Sequence, residues 1–251
     1  MLMDMKARTE AMRALAYVTA ACMDRARRHP DPDERRRSLG RVEFLTPVVK
    51  GWSTETSIDI ASTGIQVHGG MGYVEETGAA QYFRDARITT IYEGTTGIQA
   101  LDLIGRKLVR DKGDNAAALI RDMAAEVTAF EPTNDPDLSA IGAALKVGLK
   151  SFVAATEWLL ANSGRNPREA AAGAVPYLKL TGVVAGGWQM ARAARIAGEL
   201  TQAEDSGGAF LKGKIATARF YAEHVLPEAE AWRLEIMAGA GSTLALAEAS
   251  F

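Results

Sequence analysis

Ile91-Tyr92-Glu93-Gly94-Thr95-Thr96-Gly97-Ile98-Gln99 decides how this chain is read. A short β-branched run, Ile88-Thr89-Thr90-Ile91, leads into a single acid, and a glycine and a helix start follow at once. The run is too short and too isolated to found a sheet, because strands need partners to satisfy their backbone. Thr96-x-x-Gln99 has the form of a capping box, in which hydroxyl and amide satisfy each other's orphan backbone donors. Glu93 therefore sits beside a helix N-terminus, where free N–H groups and the helix dipole favour anions.

Working outward, Leu101, Ile104 and Leu108 follow helical steps, and Lys107, Arg110 and Lys112 gather where the dipole is negative. Gly113 supplies the stop. Upstream, Thr77 is placed to cap a short helix through Arg84. Gln66-Val67-His68-Gly69-Gly70-Met71-Gly72 ends a longer helix, since its glycines favour coil. That helix is expected to start at Thr46-Pro47, with threonine as cap and proline at the first helical position. Val49, Trp52, Thr56, Ile60 and Thr63 give its buried face. His29-Pro30-Asp31-Pro32-Asp33 reads as a turn, and Arg35, Arg36 and Arg37 as a solvated connection. Met5, Met12, Leu15, Thr19, Cys22 and Ala26 mark one face of an opening helix. No cap precedes them, so that helix is expected to begin further upstream.

Beyond Gly113 the sequence is alanine-rich and helical, with breaks at Glu131–Pro136, Asn162–Pro167, Asp205–Gly208 and Pro227. Asn166-Pro167 has the cap-then-proline form of a helix start. Pro176 kinks or restarts that helix, and Leu211, Ile215, Ala218, Ala222 and Val225 mark a face of a later one. The expected fold is all-α: an up-down helical bundle over residues 1–112 and a second helical domain over 113–251.

Composition narrows the function classes. With 47% hydrophobic and 24% charged residues the chain has the balance of a globular protein. A formal charge of −2 gives no electrostatic case for nucleic acid or an anionic membrane surface. No secretory segment and no uncharged apolar run long enough for a bilayer is visible. A single cysteine, Cys22, cannot form an internal disulfide and reads as a buried structural thiol. A cytoplasmic location is the expectation.

Gln66–Gly72 is not the dinucleotide fingerprint, because its glycines follow a helix rather than a strand. Taken alone it is a helix stop; the functional reading is a bare backbone that a flat or phosphorylated ligand can approach. His29, His68 and His224 lack metal-ligand spacing, and no serine has nucleophile-elbow context. Trp158, Trp188 and Trp232 read as core or interface anchors. Arg84, Asp85 and Arg87 are expected to form ion pairs that fix the segment before Glu93. For Glu93 an exposed turn acid is the default. Apolar neighbours Ile88, Ile91 and Tyr92 and a helix start within three residues raise a general-base role above it.

Three blocks in order, Gln66-Val67-His68-Gly69-Gly70-Met71-Gly72-Tyr73, Tyr82-Phe83-Arg84-Asp85-Ala86-Arg87 and Ile91-Tyr92-Glu93-Gly94-Thr95, resemble the C-terminal helical domain of acyl-CoA dehydrogenases. The resemblance covers roughly residues 1–112; the remainder is similar to the helical extension of the larger bacterial members. It implies oxidation of the Cα–Cβ bond of an acyl-CoA thioester to a 2-enoyl-CoA with FAD. Glu93 would be the base that takes the α-proton while the β-hydrogen leaves as hydride to the flavin. The thioester carbonyl would be held by a flavin ribityl hydroxyl and by the backbone N–H of Glu93, an oxyanion-type stabilisation. Tyr92 and Gly94 would border substrate. Gln66, Val67, His68, Gly69 and Gly70 match a segment contacting the FAD of a neighbouring subunit, and Thr95, Thr96 and Gly97 match the helix start against the FAD pyrophosphate. Gly97 stands where some members carry glutamine.

The resemblance further implies a homo-oligomer that passes electrons to electron-transfer flavoprotein. It also implies that the chain begins inside the family's C-terminal domain. The expected consequences are an isolated chain that binds no flavin and is inactive, and an apolar face left open on the first two helices. The competing reading is a non-catalytic helical oligomerisation or interaction module.

Overall fold

The computed structural model describes residues 1–131, 133–164, 166–203 and 208–250. Among them every regular element is helical, as expected. Helix α1 (Leu2–Arg28) and helix α2 (Pro32–Val67) form a long hairpin. Asp31 caps α2, its carboxylate accepting from Asp33 N–H at 2.9 Å, with Pro32 at the first position. The start expected at Thr46-Pro47 is thus wrong: the same cap-then-proline signal stands earlier, at Asp31-Pro32. Thr46 lies inside the helix and donates its hydroxyl to Val42 O at 2.7 Å. An interior proline costs about 3 kcal/mol. Phe44, Leu45, Val48 and Trp52, all buried around it, return roughly 1.5–3 kcal/mol each, so the helix runs through Pro47. The arginine run belongs to the first turns of α2 rather than to a connection. Arg35 closes the end of α1 by donating to His29 O at 2.7 Å and Pro30 O at 3.0 Å.

After α2 come a one-turn helix α3 (Gly70–Tyr73), a tight turn at Glu75–Thr77 and helix α4 (Ala79–Thr89). Thr77 does not cap α4. Gly78, at φ +77°, holds that position, while the Thr77 hydroxyl turns back to Met71 O at 2.6 Å. Helix α5 (Thr96–Asp102) continues into a wider π turn over Leu103–Val109, which keeps Leu103, Ile104 and Leu108 all buried. Gly113, at φ +85°, ends it as expected, donating to Leu108 O at 2.9 Å.

Helices α6 (Asp114–Ala129), α7 (Pro136–Ser163), α8 (Pro167–Ala172), α9 (Ala174–Ala203), α10 (Gly208–His224) and α11 (Glu228–Met237) complete the chain. Asn166 caps α8 with Pro167 at its first position, and Pro176 falls in the first turn of α9, where it marks a restart. The break expected at Asp205–Gly208 lies almost wholly outside the described residues. Helix α7 is long and apolar enough by composition to cross a bilayer, but half of that stretch is buried inside the protein. Lys146 and Lys150 also interrupt it.

One hydrophobic core joins both halves of the sequence, and α9 is its centre. Residues 180–191 of α9 are all buried, as a helix is where other helices enclose it, while the charged Lys179, Arg192 and Arg195 stand just outside that stretch. The helix packs against α1, α2, α5, α7, α10 and α11. Trp52 of α2 lies over Gly182 and Gly186, where a Cβ on Gly182 would overlap the indole and one on Gly186 would sit 2.8 Å from it. Cys22 and Trp188 are buried, and Trp158 and Trp232 pack partly buried against the core, as read from sequence.

Candidate active site

The α4–α5 connection carries the candidate base. Glu93 has φ +55° and Gly94 φ +88°, two successive residues in the left-handed region. For glycine this is free; for glutamate it costs of order 1 kcal/mol, and such strain concentrates at functional positions. The Glu93 side chain is exposed, and no group among the described residues pairs with its carboxylate. Its backbone N–H and that of Gly94 also lack an acceptor among the described residues. One residue thus presents a free carboxylate and a free hydrogen-bond donor.

Lys50 of α2 holds this turn in shape, a role the sequence reading missed. Its Nζ donates to Thr89 O at 2.8 Å, Tyr92 O at 2.9 Å and Gly94 O at 3.2 Å, and lies 5.5 Å from the centre of the Tyr92 ring. All three ammonium donors are used. From the other side the Gln99 amide reaches Glu93 O at 3.5 Å. The only trace in sequence is a lone lysine within Val48-Val49-Lys50-Gly51-Trp52.

Of the ion pairs expected before Glu93, Arg84 makes one, to Glu75, while Asp85 and Arg87 take uncharged partners. Arg84 reaches Glu75 at 3.6 Å and the Gln81 amide oxygen at 2.7 Å, Asp85 accepts from Gln81 at 2.6 Å, and Arg87 donates to the Thr90 hydroxyl at 2.8 Å. On α4, Gln81 shares a face with both Arg84 (i+3) and Asp85 (i+4), whereas the adjacent Arg84 and Asp85 side chains point apart. The expected capping box does not form; a simple cap stands one residue earlier, and the Gln99 amide turns to Glu93 O instead. Thr95 is the cap, its Oγ1 accepting from Ile98 N–H at 3.3 Å, whereas the Thr96 hydroxyl donates to Glu55 Oε1 at 2.5 Å. Gly97 leaves the first turn open: a Cβ there would meet nothing closer than Thr95 Oγ1 at 3.8 Å.

Gln66, Val67, His68, Gly69 and Gly70 are all exposed at the far end of α2. His68 is the last cap, with its Nδ1 2.8 Å from Gly64 O. Gly69 needs glycine for its φ of +62°, and Gly72 because a Cβ would overlap Ile65 O. Gly70 needs it for neither reason, since it has ordinary φ and open space around it. A bare backbone facing outward fits close approach by something external, such as a cofactor. From Lys50 to Gln66 is sixteen residues of α2, about 24 Å at 1.5 Å each. The chain therefore does not gather the two candidate groups into one pocket.

A cavity of about 480 Å³ opens elsewhere, between α1, α2 and α4. Met5, Thr9, Met12, Ile60, Ala61 and Tyr82 line it. Met5, Met12 and Ile60, expected on buried faces, are only half-buried there.

Comparison with known proteins bears on the family and the fold. Residues 1–109 match the family model described as acyl-CoA dehydrogenase, C-terminal domain, and residues 117–247 the one described as acetyl-CoA dehydrogenase C-terminal like. The chain is 44% identical to 3-methylmercaptopropionyl-CoA dehydrogenase of Ruegeria pomeroyi, over 92% of this chain and 39% of that protein. It spans about two-fifths of the length of the curated relatives it matches. Its fold superposes on a Bacillus anthracis acyl-CoA dehydrogenase complexed with FAD (TM-score 0.73, 18% identity, 94% of this chain and 41% of that one). It superposes as well on Caenorhabditis elegans ACDH-11 in complex with C11-CoA (TM-score 0.69, 22% identity, 88% of this chain and 35% of that one). With both C-terminal helical models matched in order over nearly its whole length, the chain belongs to the acyl-CoA dehydrogenase family.

Proposed function

We propose that this chain supplies the catalytic base of an FAD-dependent acyl-CoA dehydrogenase that converts an acyl-CoA to its 2-enoyl-CoA. The observation that carries the reading is the double provision at Glu93. Its free carboxylate is a base, and its free N–H is a donor for a thioester carbonyl. An α-proton is acidic enough to remove only if negative charge developing on that carbonyl is stabilised, so the two functions belong side by side. Tyr92 and Gly94 border the substrate. FAD, when bound, supplies the acceptor for the β-hydride. Thr95, Thr96 and Gly97 are placed to meet its pyrophosphate at the open first turn of α5, and Gln66–Gly70 to contact the FAD of a second copy.

Thr96 is tied to Glu55, eleven residues or about 16.5 Å along α2 from Gln66, and this separation supports a homo-oligomer in which the two contacts are made to two cofactors. We place the functional division at residue 113, with the base in 1–112 and a helical buttress in 113–251. Electron-transfer flavoprotein is the proposed electron acceptor, and the cytoplasm the proposed location. The alternative, a non-catalytic assembly module, draws on the open apolar cavity between α1, α2 and α4.

The test is solvent exchange of the substrate α-proton in the assembled flavoenzyme. Glu93→Gln is expected to slow exchange by about 10²–10⁴-fold, the usual contribution of a general base, with flavin retained. Exchange at the unmodified rate would remove Glu93 from the role. The 251-residue chain alone is expected to purify without flavin and without activity; a stoichiometric flavin spectrum would overturn that part.

A further inference from the structure

We infer that Lys50 is a positioning residue for this reaction: through the Tyr92–Glu93 peptide it orients and polarises the N–H that receives the thioester carbonyl. The inference rests on the reading of Glu93 above and adds a second residue to it.

The Tyr92 carbonyl and the Glu93 N–H belong to one planar trans peptide and point in opposite directions. Lys50 Nζ holds the carbonyl end at 2.9 Å, so the N–H end is aimed away from α2, where nothing in the described chain accepts from it. The same ammonium holds Thr89 O at the end of α4 and Gly94 O beyond Glu93. The strained residue is thereby clamped on both sides and cannot relax by flipping a peptide. A positive charge on the carbonyl end also draws electron density from the peptide nitrogen, which makes the N–H a stronger donor. Without a cation at that place, three carbonyl oxygens converge with no donor between them, which opposes the geometry. The half-buried position of Lys50 and the Tyr92 ring beside it keep the charge from being fully screened.

The role is separable from that of Glu93 by measuring the assembled flavoenzyme with an acyl-CoA labelled with ¹³C at the thioester carbonyl. In the unmodified enzyme the bound carbonyl stretch is expected below its frequency in water. Lys50→Met is expected to move it back toward the free value and to lower kcat about 10- to 100-fold, within or below the range for losing an oxyanion donor. KM should change far less than kcat, because the interaction grows as charge develops. Glu93→Gln should lose α-proton exchange while keeping the lowered stretch. If Lys50→Met is poorly folded, Lys50→Gln retains a donor without the charge and should show an intermediate stretch. An unmodified stretch and kcat in a flavin-loaded Lys50→Met or Lys50→Gln variant overturns the inference and leaves Glu93 as base. Full exchange in Glu93→Gln overturns the base and leaves the carbonyl measurement to judge Lys50.

Discussion

Two residues apart on α2, Lys50 and Trp52 face opposite neighbours and hold them by opposite physics. Trp52, 2% exposed, is pressed onto a helix surface stripped to glycine at 182 and 186. That junction is apolar, close-packed and non-directional. Lys50 meets a turn of six residues through three hydrogen bonds and a ring contact, with the adjoining acid exposed and strained. The first junction is bought with area and sets stability; the second uses direction and sets where one N–H points. Gly51, between them, has room for neither more bulk nor slack: a Cβ there would lie 2.6 Å from Leu178 of α9 and 3.3 Å from Gln99 of α5.

The contrast can be broken from the apolar side first. Trp52→Ala is expected to destabilise the chain by about 3–5 kcal/mol, the usual cost of truncating a buried large aromatic, measured by denaturant unfolding. Gly182→Ala should cost roughly 1–3 kcal/mol by overpacking, and clearly less in the Trp52→Ala background, where the room has been made. Additive costs would show that the two do not touch. Next, Gly94→Ala forces alanine to φ +88° and is expected to cost about 1–2 kcal/mol. The loss of turnover in the assembled enzyme should exceed what that loss of stability explains.

The smallest effect lies at a polar contact that resembles neither junction. Arg233, and secondarily the Ser151 hydroxyl, holds the Glu230 carboxylate at a pKa of about 2, below its ordinary 4.5. A lowered carboxylate pKa adds stability above the ordinary value and loses it as pH falls through about 2. Arg233→Met should therefore be slightly less stable than the unmodified chain at pH 7 and equal to it under strong acid. Because the Glu230 side chain is half-exposed, the difference should be small and should shrink further in salt.

What sequence made legible follows the same division. The all-α class, the glycine stops at 69 and 113, the Asn166-Pro167 start and the tryptophans in or against the core all rest on local signals that the structure repeats. Where two places in the chain carry the same signal, local sequence does not choose between them. Thr95 and Thr96 can both cap, and only the nearness of Glu55 gives Thr96 another partner. Likewise, cap-then-proline fits both Asp31-Pro32 and Thr46-Pro47, and burial around Pro47 decided between them. Glu93 stands out in the sequence as a candidate because its setting is written next to it. The contacts of Lys50 do not, because its partners are backbone carbonyls thirty-nine to forty-four positions away, and a carbonyl has no residue type.

Helix α2 runs unbroken for 36 residues from Pro32 to Val67, with Lys50 near its middle and the exposed glycines just past its end. It works as a calliper. The distance and the angle between the acid-bearing turn and the glycine turn are set by the count of residues along α2, with α4 packed alongside it as a second link between them. Inserting one residue between Gly51 and Gln66 would turn one jaw by about 100° and lengthen the span by about 1.5 Å. Substitutions along that stretch can change chemistry without changing gauge, whereas insertions and deletions change gauge at once. Variation in this segment should therefore run to replacement and not to length.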